Sequence, residues 1–104
     1  FFYEAPTDYD EKALKKWNDH SAALVQSFAG RLVEITEYEF TETVIKHALE
    51  ATVEAESVGF GKVMMPVRIA LSGQGFGPDL FPAMELLGKT ECLERLETAV
   101  QRLS

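Results

Sequence analysis

Apolar residues recur every three or four positions along most of this chain, the spacing that buries one face of a helix. The pattern predicts one helix from about Asn18 to Ile35 and another over residues 42–57. A third helix, from about Glu91 to Leu103, has the clearest division into an apolar and a charged face. Its predicted inward positions are Cys92, Leu96, Ala99, Val100 and Leu103, and its predicted outward positions are Glu91, Glu94, Arg95, Glu97 and Arg102. The predicted fold class is all-α, a compact bundle of about five to six short helices.

Polar residues, prolines and glycines mark the expected helix ends. A short, highly charged helix is expected over residues 11–17, ahead of the first long one. Thr41 is a suitable N-cap for the helix over residues 42–57, and Gly59 is its expected C-terminal stop. A further helix from about residue 79 to 87 would hold Pro82 in its first turn and end at Gly88.

Residues 62–72 are ambiguous by pattern. The apolar residues in this segment alternate with their neighbours as in a strand, whereas Pro66 suits the first turn of a short helix ending at Gly73. A lone strand would have no partner for its backbone hydrogen bonds. The sequence therefore favours a short helix.

Length and composition are those of one domain. The chain has 104 residues, 46% of them hydrophobic, and is assigned as a single domain over residues 1–104, with residues 1–9 as an extended lead-in. It begins on two phenylalanines without an initiator methionine, so we expect a piece of a longer protein. No segment is apolar enough to span a bilayer. The one cysteine, Cys92, cannot form an internal disulfide and indicates a cytosolic protein.

The net charge of −7 argues against extensive binding to a phosphate backbone. The acidic excess is confined to residues 1–58, with 12 acids and 5 bases, whereas residues 59–104 hold 5 of each. No acid lies between Glu56 and Asp79, a segment that contains Lys62 and Arg68. A locally cationic corner on an acidic body is consistent with a few contacts to bases. It does not fit a stand-alone RNA-binding protein, which would depend on many phosphate contacts.

No pattern in the sequence predicts a catalytic residue or a metal ligand. His20 and His47 lie on different predicted helices without ligands at metal spacing. Cys92 falls on an apolar helical face and is expected in the core. The segment Gly73-Gln74-Gly75-Phe76-Gly77 is a poor dinucleotide fingerprint, because no strand precedes it and its third glycine is misplaced. We interpret it as a turn between two helices.

Arg68 is the residue whose placement most suggests a specific role. It lies in an apolar segment just before a glycine-proline loop, where a guanidinium could hydrogen-bond the edge of an unstacked nucleobase. Phe81, beyond that loop, could offer a stacking face or belong to the core. Lys62 is a candidate phosphate contact. The residues alone leave another possibility open, in which Arg68 extends along its helix into solvent or pairs with an acid such as Asp79.

Several motifs occur in a characteristic order over residues 59–104: Pro66-x-Arg68-x-Ala70-Leu71-x-Gly73, Gly77-Pro78-x-Leu80-Phe81, Leu86-Leu87-Gly88-Lys89 and a later Arg-Leu pair. In this order they resemble the C-terminal anticodon-binding region of bacterial glutamyl-tRNA synthetases. The resemblance implies that Arg68 hydrogen-bonds the third anticodon base. It also implies that one loop packs around the second and third bases, through residues matching Gly77, Pro78, Leu80 and Phe81.

For the parent protein, the resemblance implies a glutamate–tRNA ligase, a class I aminoacyl-tRNA synthetase that uses ATP to attach glutamate to tRNA-Glu. ATP and Mg²⁺ would be bound upstream, and this segment would hold no cofactor and no catalytic site. The expected partners are the tRNA-Glu anticodon loop and the upstream domains of the same chain, in a cytoplasmic monomer without a membrane contact. The alternative is an acidic helical protein–protein interaction module with no RNA role, in which Arg68 forms an ion pair.

Overall fold

The computed structural model describes residues 9, 11–18, 20–73 and 80–103. These residues form six α-helices and one 3-10 helix, and no strand is present among them, which confirms the all-α prediction. No helix within these ranges is long and apolar enough to cross a membrane. The elements are α1 (Glu11–Leu14), α2 (Ser21–Val33), a 3-10 helix (Glu37–Glu39), α3 (Glu42–Glu56), α4 (Phe60–Ser72), α5 (Leu80–Leu87) and α6 (Lys89–Leu103).

The core lies where α2 and α4 meet the remaining long helices. Helix α2 packs against α3, α4 and α6, while α4 also contacts α3 and α6, and α5 lies between α3 and α6. Trp17, beyond the short α1, lies half-buried against this core. The main buried side chains are Leu24, Val25, Phe28 and Leu32 of α2, Ile45 and Leu49 of α3, Val63, Val67, Ala70 and Leu71 of α4, Leu80 and Met84 of α5, and Cys92, Leu96 and Ala99 of α6.

The ends of α3 show one confirmed and one wrong prediction. Thr41 is the N-cap, because its hydroxyl oxygen accepts a hydrogen bond from the Val44 N–H at 3.4 Å. Gly59 does not end the helix. Ser57 takes the left-handed conformation with φ 54°, and the Val58 N–H donates to the Val53 carbonyl at 3.2 Å, which closes a Schellman motif. Gly59 has φ −73° and serves as the N-cap of α4.

Helix α4 is longer than predicted, and Pro66 is not in its first turn. The helix begins at Phe60 and passes through Pro66, which removes the hydrogen bond to the Lys62 carbonyl. A proline inside a helix costs about 3 kcal/mol. Burial outweighs this cost, because α4 places Val63, Val67 and Leu71 at 0% exposure, and each such side chain contributes about 1.5–3 kcal/mol.

The helix ends that follow lie where the sequence predicted them. Gly73 ends α4 with φ 77°, and its N–H donates to the Ile69 carbonyl at 2.7 Å. Pro82 lies in the first turn of α5, which Gly88 ends with φ 86° and a hydrogen bond to the Met84 carbonyl. Glycine favours both positions because a left-handed backbone strains residues with a Cβ atom. With Gly88 as the single residue between α5 and α6, the orientation of these two helices is tightly fixed.

Candidate functional site

Arg68 lies at the start of the last turn of α4. Its side chain is half-buried, whereas its neighbours in sequence, Val67 and Ile69, are fully buried. The Ser72 hydroxyl donates to the Arg68 backbone carbonyl at 2.9 Å, and Gly73 then ends the helix. The backbone that carries Arg68 is therefore held within a helix whose terminus is well defined.

The predicted partners of Arg68 around the loop differ in what they can offer a ligand. Leu80, the first residue of α5, is 1% exposed, so its side chain belongs to the core. Because this figure covers the backbone as well as the side chain, Leu80 presents almost no surface to a base. Phe81 is half-buried against the same core and keeps part of its ring surface exposed. Gly77 and Pro78 lie outside the described residues.

Lys62 does not share the face of Arg68. It is exposed in the first turn of α4, beside a depression of about 440 Å³ whose lining includes His20, Glu56 and Gly59. Six residues of helix separate Lys62 from Arg68 by about 9 Å along the axis and by roughly 120° around it. A phosphate held by Lys62 would belong to a different part of a bound RNA from a base held by Arg68.

Arg95 is a residue whose location the sequence pattern predicted wrongly. It was expected on the outer face of α6, but it is 3% exposed. Its Nε donates to the Glu91 carboxylate at 2.7 Å, and its Nη1 donates to the Leu71 carbonyl at 2.9 Å. Its position three residues after Cys92 and four before Ala99 puts it on the apolar stripe, and this was the signal that could have identified it.

Three charged side chains of α5 and α6 bind the ends of earlier helices. The Glu85 carboxylate accepts from the Glu42 N–H at the start of α3 at 2.7 Å. The Lys89 ammonium donates to the Val33 carbonyl at the end of α2 at 2.8 Å, and Arg95 binds the end of α4 in the same way. Each charge has the sign that the dipole of the capped helix favours. Side chains of α5 and α6 thus connect the ends of α2, α3 and α4.

Among the described residues, the pKa is perturbed for the Cys92 thiol in the core and for the Tyr9 hydroxyl. Burial raises the pKa of the Cys92 thiol to about 12, which keeps it protonated and unreactive as a core residue. Burial also raises the pKa of Tyr9, with an opposing contribution from Arg102, whose guanidinium lies 5.0 Å from the centre of the Tyr9 ring. His20 and His47 are exposed. Within the described ranges, no group of three or more His, Cys, Asp or Glu residues could hold a metal ion.

Comparison with known proteins gives consistent results. The sequence profile of the anticodon binding domain matches residues 1–100. Glutamate–tRNA ligase from Cytophaga hutchinsonii is 39% identical over 105 residues, covering 100% of this chain and 20% of that protein. The corresponding enzyme from Flavobacterium johnsoniae is 37% identical over 103 residues, covering 99% of this chain and 20% of that protein. The chain therefore spans about a fifth of the length of the relatives it matches.

Solved structures agree in fold. A glutamate tRNA ligase from Elizabethkingia meningosepticum, crystallised in complex with its amino acid, superposes with a TM-score of 0.92 at 38% identity. That match covers 99% of this chain and 20% of the ligase. Glutamate-tRNA synthetase from Elizabethkingia anophelis superposes with a TM-score of 0.80 at 37% identity, over 96% of this chain and 19% of the synthetase.

Proposed function

Because this chain belongs to the anticodon-binding domain family of glutamate–tRNA ligases, we propose that it binds the anticodon loop of tRNA-Glu and recognises the third anticodon base through Arg68. The observation that carries the proposal is the position of Arg68 on the last turn of α4, with its side chain partly exposed.

The physical basis is the geometry of the guanidinium. Its planar fork donates two parallel hydrogen bonds, which suits the edge of an unstacked base better than the point charge of a lysine. Such a contact contributes about 1–3 kcal/mol of discrimination against a wrong base. In this proposal the exposed part of the Phe81 ring stacks on a base, a contact worth about 1–3 kcal/mol more. Gly77 and Pro78 pack around the second and third bases, Leu80 holds the start of α5 in the core, and Lys62 contacts a phosphate.

The rest of the reaction belongs to the parent enzyme. We propose that the parent is a cytoplasmic, monomeric glutamate–tRNA ligase that uses ATP and Mg²⁺ to attach glutamate to tRNA-Glu. In this proposal both groups bind to the domains outside this chain, and the role of this segment is recognition. The acidic charge of residues 1–58 is consistent with this role if most phosphate contacts are made by those other domains.

The test uses the full-length enzyme with Arg68→Ala and Arg68→Lys. We expect Arg68→Ala to lower kcat/KM for charging tRNA-Glu by about 5- to 150-fold, equivalent to 1–3 kcal/mol. Arg68→Lys should recover only part of this loss, because it keeps the charge and loses the fork. Lys46→Ala, on the exposed face of α3, is the matched control and should charge normally. Unchanged charging by Arg68→Ala would refute the proposal.

A further inference from the structure

The guanidinium of Arg95 lies beneath the end of α4. Its side chain is 1% exposed, whereas that of Glu91, its ion-pair partner, is 38% exposed and in contact with solvent. Of its three nitrogens, Nε bonds to Glu91 and Nη1 to the Leu71 carbonyl, while Nη2 has no hydrogen-bond partner among the described residues. Burying a cation with one unsatisfied hydrogen-bond donor in the core costs folding free energy.

Stability alone does not account for an arginine at this position. Replacing a buried ion pair with apolar side chains of similar volume is often neutral or stabilising, so an apolar residue at position 95 could pack against α4 equally well. An apolar residue could not, however, bind a backbone carbonyl. The distinctive property of Arg95 is therefore the directional bond that it makes to one atom of α4.

That atom lies in the same turn as the proposed recognition residue. Leu71 is three residues after Arg68, among the last four residues of the helix, whose carbonyl groups lack the full set of intrahelical partners. The bond from Arg95 satisfies one of these carbonyls and places positive charge where the helix dipole favours it. The last turn of α4 thus takes its orientation from a side chain 24 residues further along the chain.

We propose that Arg95 is a positioning residue for anticodon recognition: it fixes the last turn of α4 so that Arg68 meets the third base in the correct orientation. This inference rests on the proposed function of Arg68. Glu91 serves the same purpose one step further away, because its bond to Nε sets the plane of the Arg95 guanidinium. Small displacements matter here, since a misplacement of about 1 Å in a recognition group can cost roughly 100-fold in rate.

The test is a double-mutant cycle in the full-length enzyme. The readout is the ratio of kcat/KM for tRNA-Glu to kcat/KM for a transcript with a changed third anticodon base. Arg95→Lys should lower this ratio by about 2- to 30-fold, the range typical of remote residues that modulate a site. Glu91→Gln should lower the ratio in the same direction and keeps the volume of the side chain, so it provides a second variant if Arg95→Lys folds poorly. Glu94→Gln, on the exposed face of α6, is the matched control and should leave the ratio unchanged.

The cycle separates positioning from simple stabilisation. If Arg95 acts through Arg68, Arg95→Lys should lower the ratio no further in an Arg68→Ala background. A purely structural role would reduce charging of both tRNAs equally and leave the ratio at its wild-type value, which would overturn the inference. If Arg68→Ala lowers the ratio while Arg95→Lys and Glu91→Gln do not, the inference fails and the proposed function stands. If Arg68→Ala itself leaves the ratio unchanged, the proposed function has failed.

Discussion

Leu80 and Phe81 are adjacent in the motif that we propose contacts RNA, but the two side chains differ in burial. Leu80 is 1% exposed and packs in the core, whereas Phe81 is half-buried. Truncation of Leu80 to alanine should leave a cavity under the start of α5. Leucine-to-alanine changes at buried sites lower the free energy of unfolding by about 2–5 kcal/mol. Because a domain near this size loses roughly 4–8 °C in Tm per kcal/mol, we expect Leu80→Ala to lower the Tm by at least 8 °C or so.

The neighbouring residue should respond in the opposite way. Phe81→Leu keeps much of the apolar volume, so we expect it to lower the free energy of unfolding by less than about 1.5 kcal/mol. In the full-length enzyme the same change should weaken tRNA charging by about 1–3 kcal/mol, because the stacking face is lost. Leu80→Met, which conserves volume, should preserve both stability and charging.

Urea unfolding of this chain followed by far-UV circular dichroism gives the stability arm, and kcat/KM for tRNA-Glu gives the functional arm. A loss below about 1 kcal/mol in Leu80→Ala would show that Leu80 is not a core residue. Normal charging by Phe81→Leu would show that the Phe81 ring makes no contact that depends on its aromatic face. Either result would refute the division of roles drawn from the burial of the two side chains.

Two further predictions concern the core and the helix ends. Glu85→Ala removes the carboxylate that accepts from the Glu42 N–H, so thermal unfolding should show that the free energy of unfolding falls by about 0.5–2 kcal/mol. The control Glu50→Ala, on the exposed face of α3, should change this free energy little. Equal losses in the two variants would contradict the capping role of Glu85. Burial raises the Cys92 pKa from 9.0 to about 12, so the folded chain retains a proton that the unfolded chain releases. The contribution of the Cys92 thiol to stability is complete below pH 9 and declines as the pH rises from 9 toward 12. Urea unfolding across this range should therefore show a shallower decline in the free energy of unfolding for Cys92→Ala than for the wild type. Parallel curves would contradict the raised pKa of Cys92.

Most helices of this fold could be predicted from hydrophobic spacing and local end signals. Thr41, Gly73 and Gly88 mark helix ends because the hydroxyl cap and the left-handed glycine act over only a few residues, and such interactions are visible in sequence. Where the prediction failed, tertiary packing outweighed the local preference. Pro66 was expected near the start of a helix, but the buried stripe of α4 continues through it because burial contributes more than the proline costs.

Two other predictions were also wrong. Gly59 was expected to end α3, but Ser57 takes the left-handed conformation two residues earlier, and Gly59 is the N-cap of the next helix. Arg95 was expected on the outer face although its spacing from Cys92 and Ala99 puts it on the apolar stripe of α6. Its bonding partner, a carbonyl on α4, could not be predicted from α6 alone. In the candidate site, the sequence indicated Arg68 and Phe81, while the burial of Leu80 and the different face of Lys62 required coordinates.

The role of Arg68 is tested most directly by measuring how well the full-length enzyme discriminates against a changed base at each anticodon position. Three tRNA-Glu transcripts, each with one anticodon base changed, are charged by the wild type and by Arg68→Ala, and each kcat/KM is compared with that of unmodified tRNA-Glu. We expect Arg68→Ala to lose discrimination at the third base by about 5- to 150-fold and to keep it at the first and second. An equal loss at all three positions, or wild-type discrimination at the third base in Arg68→Ala, would contradict this role.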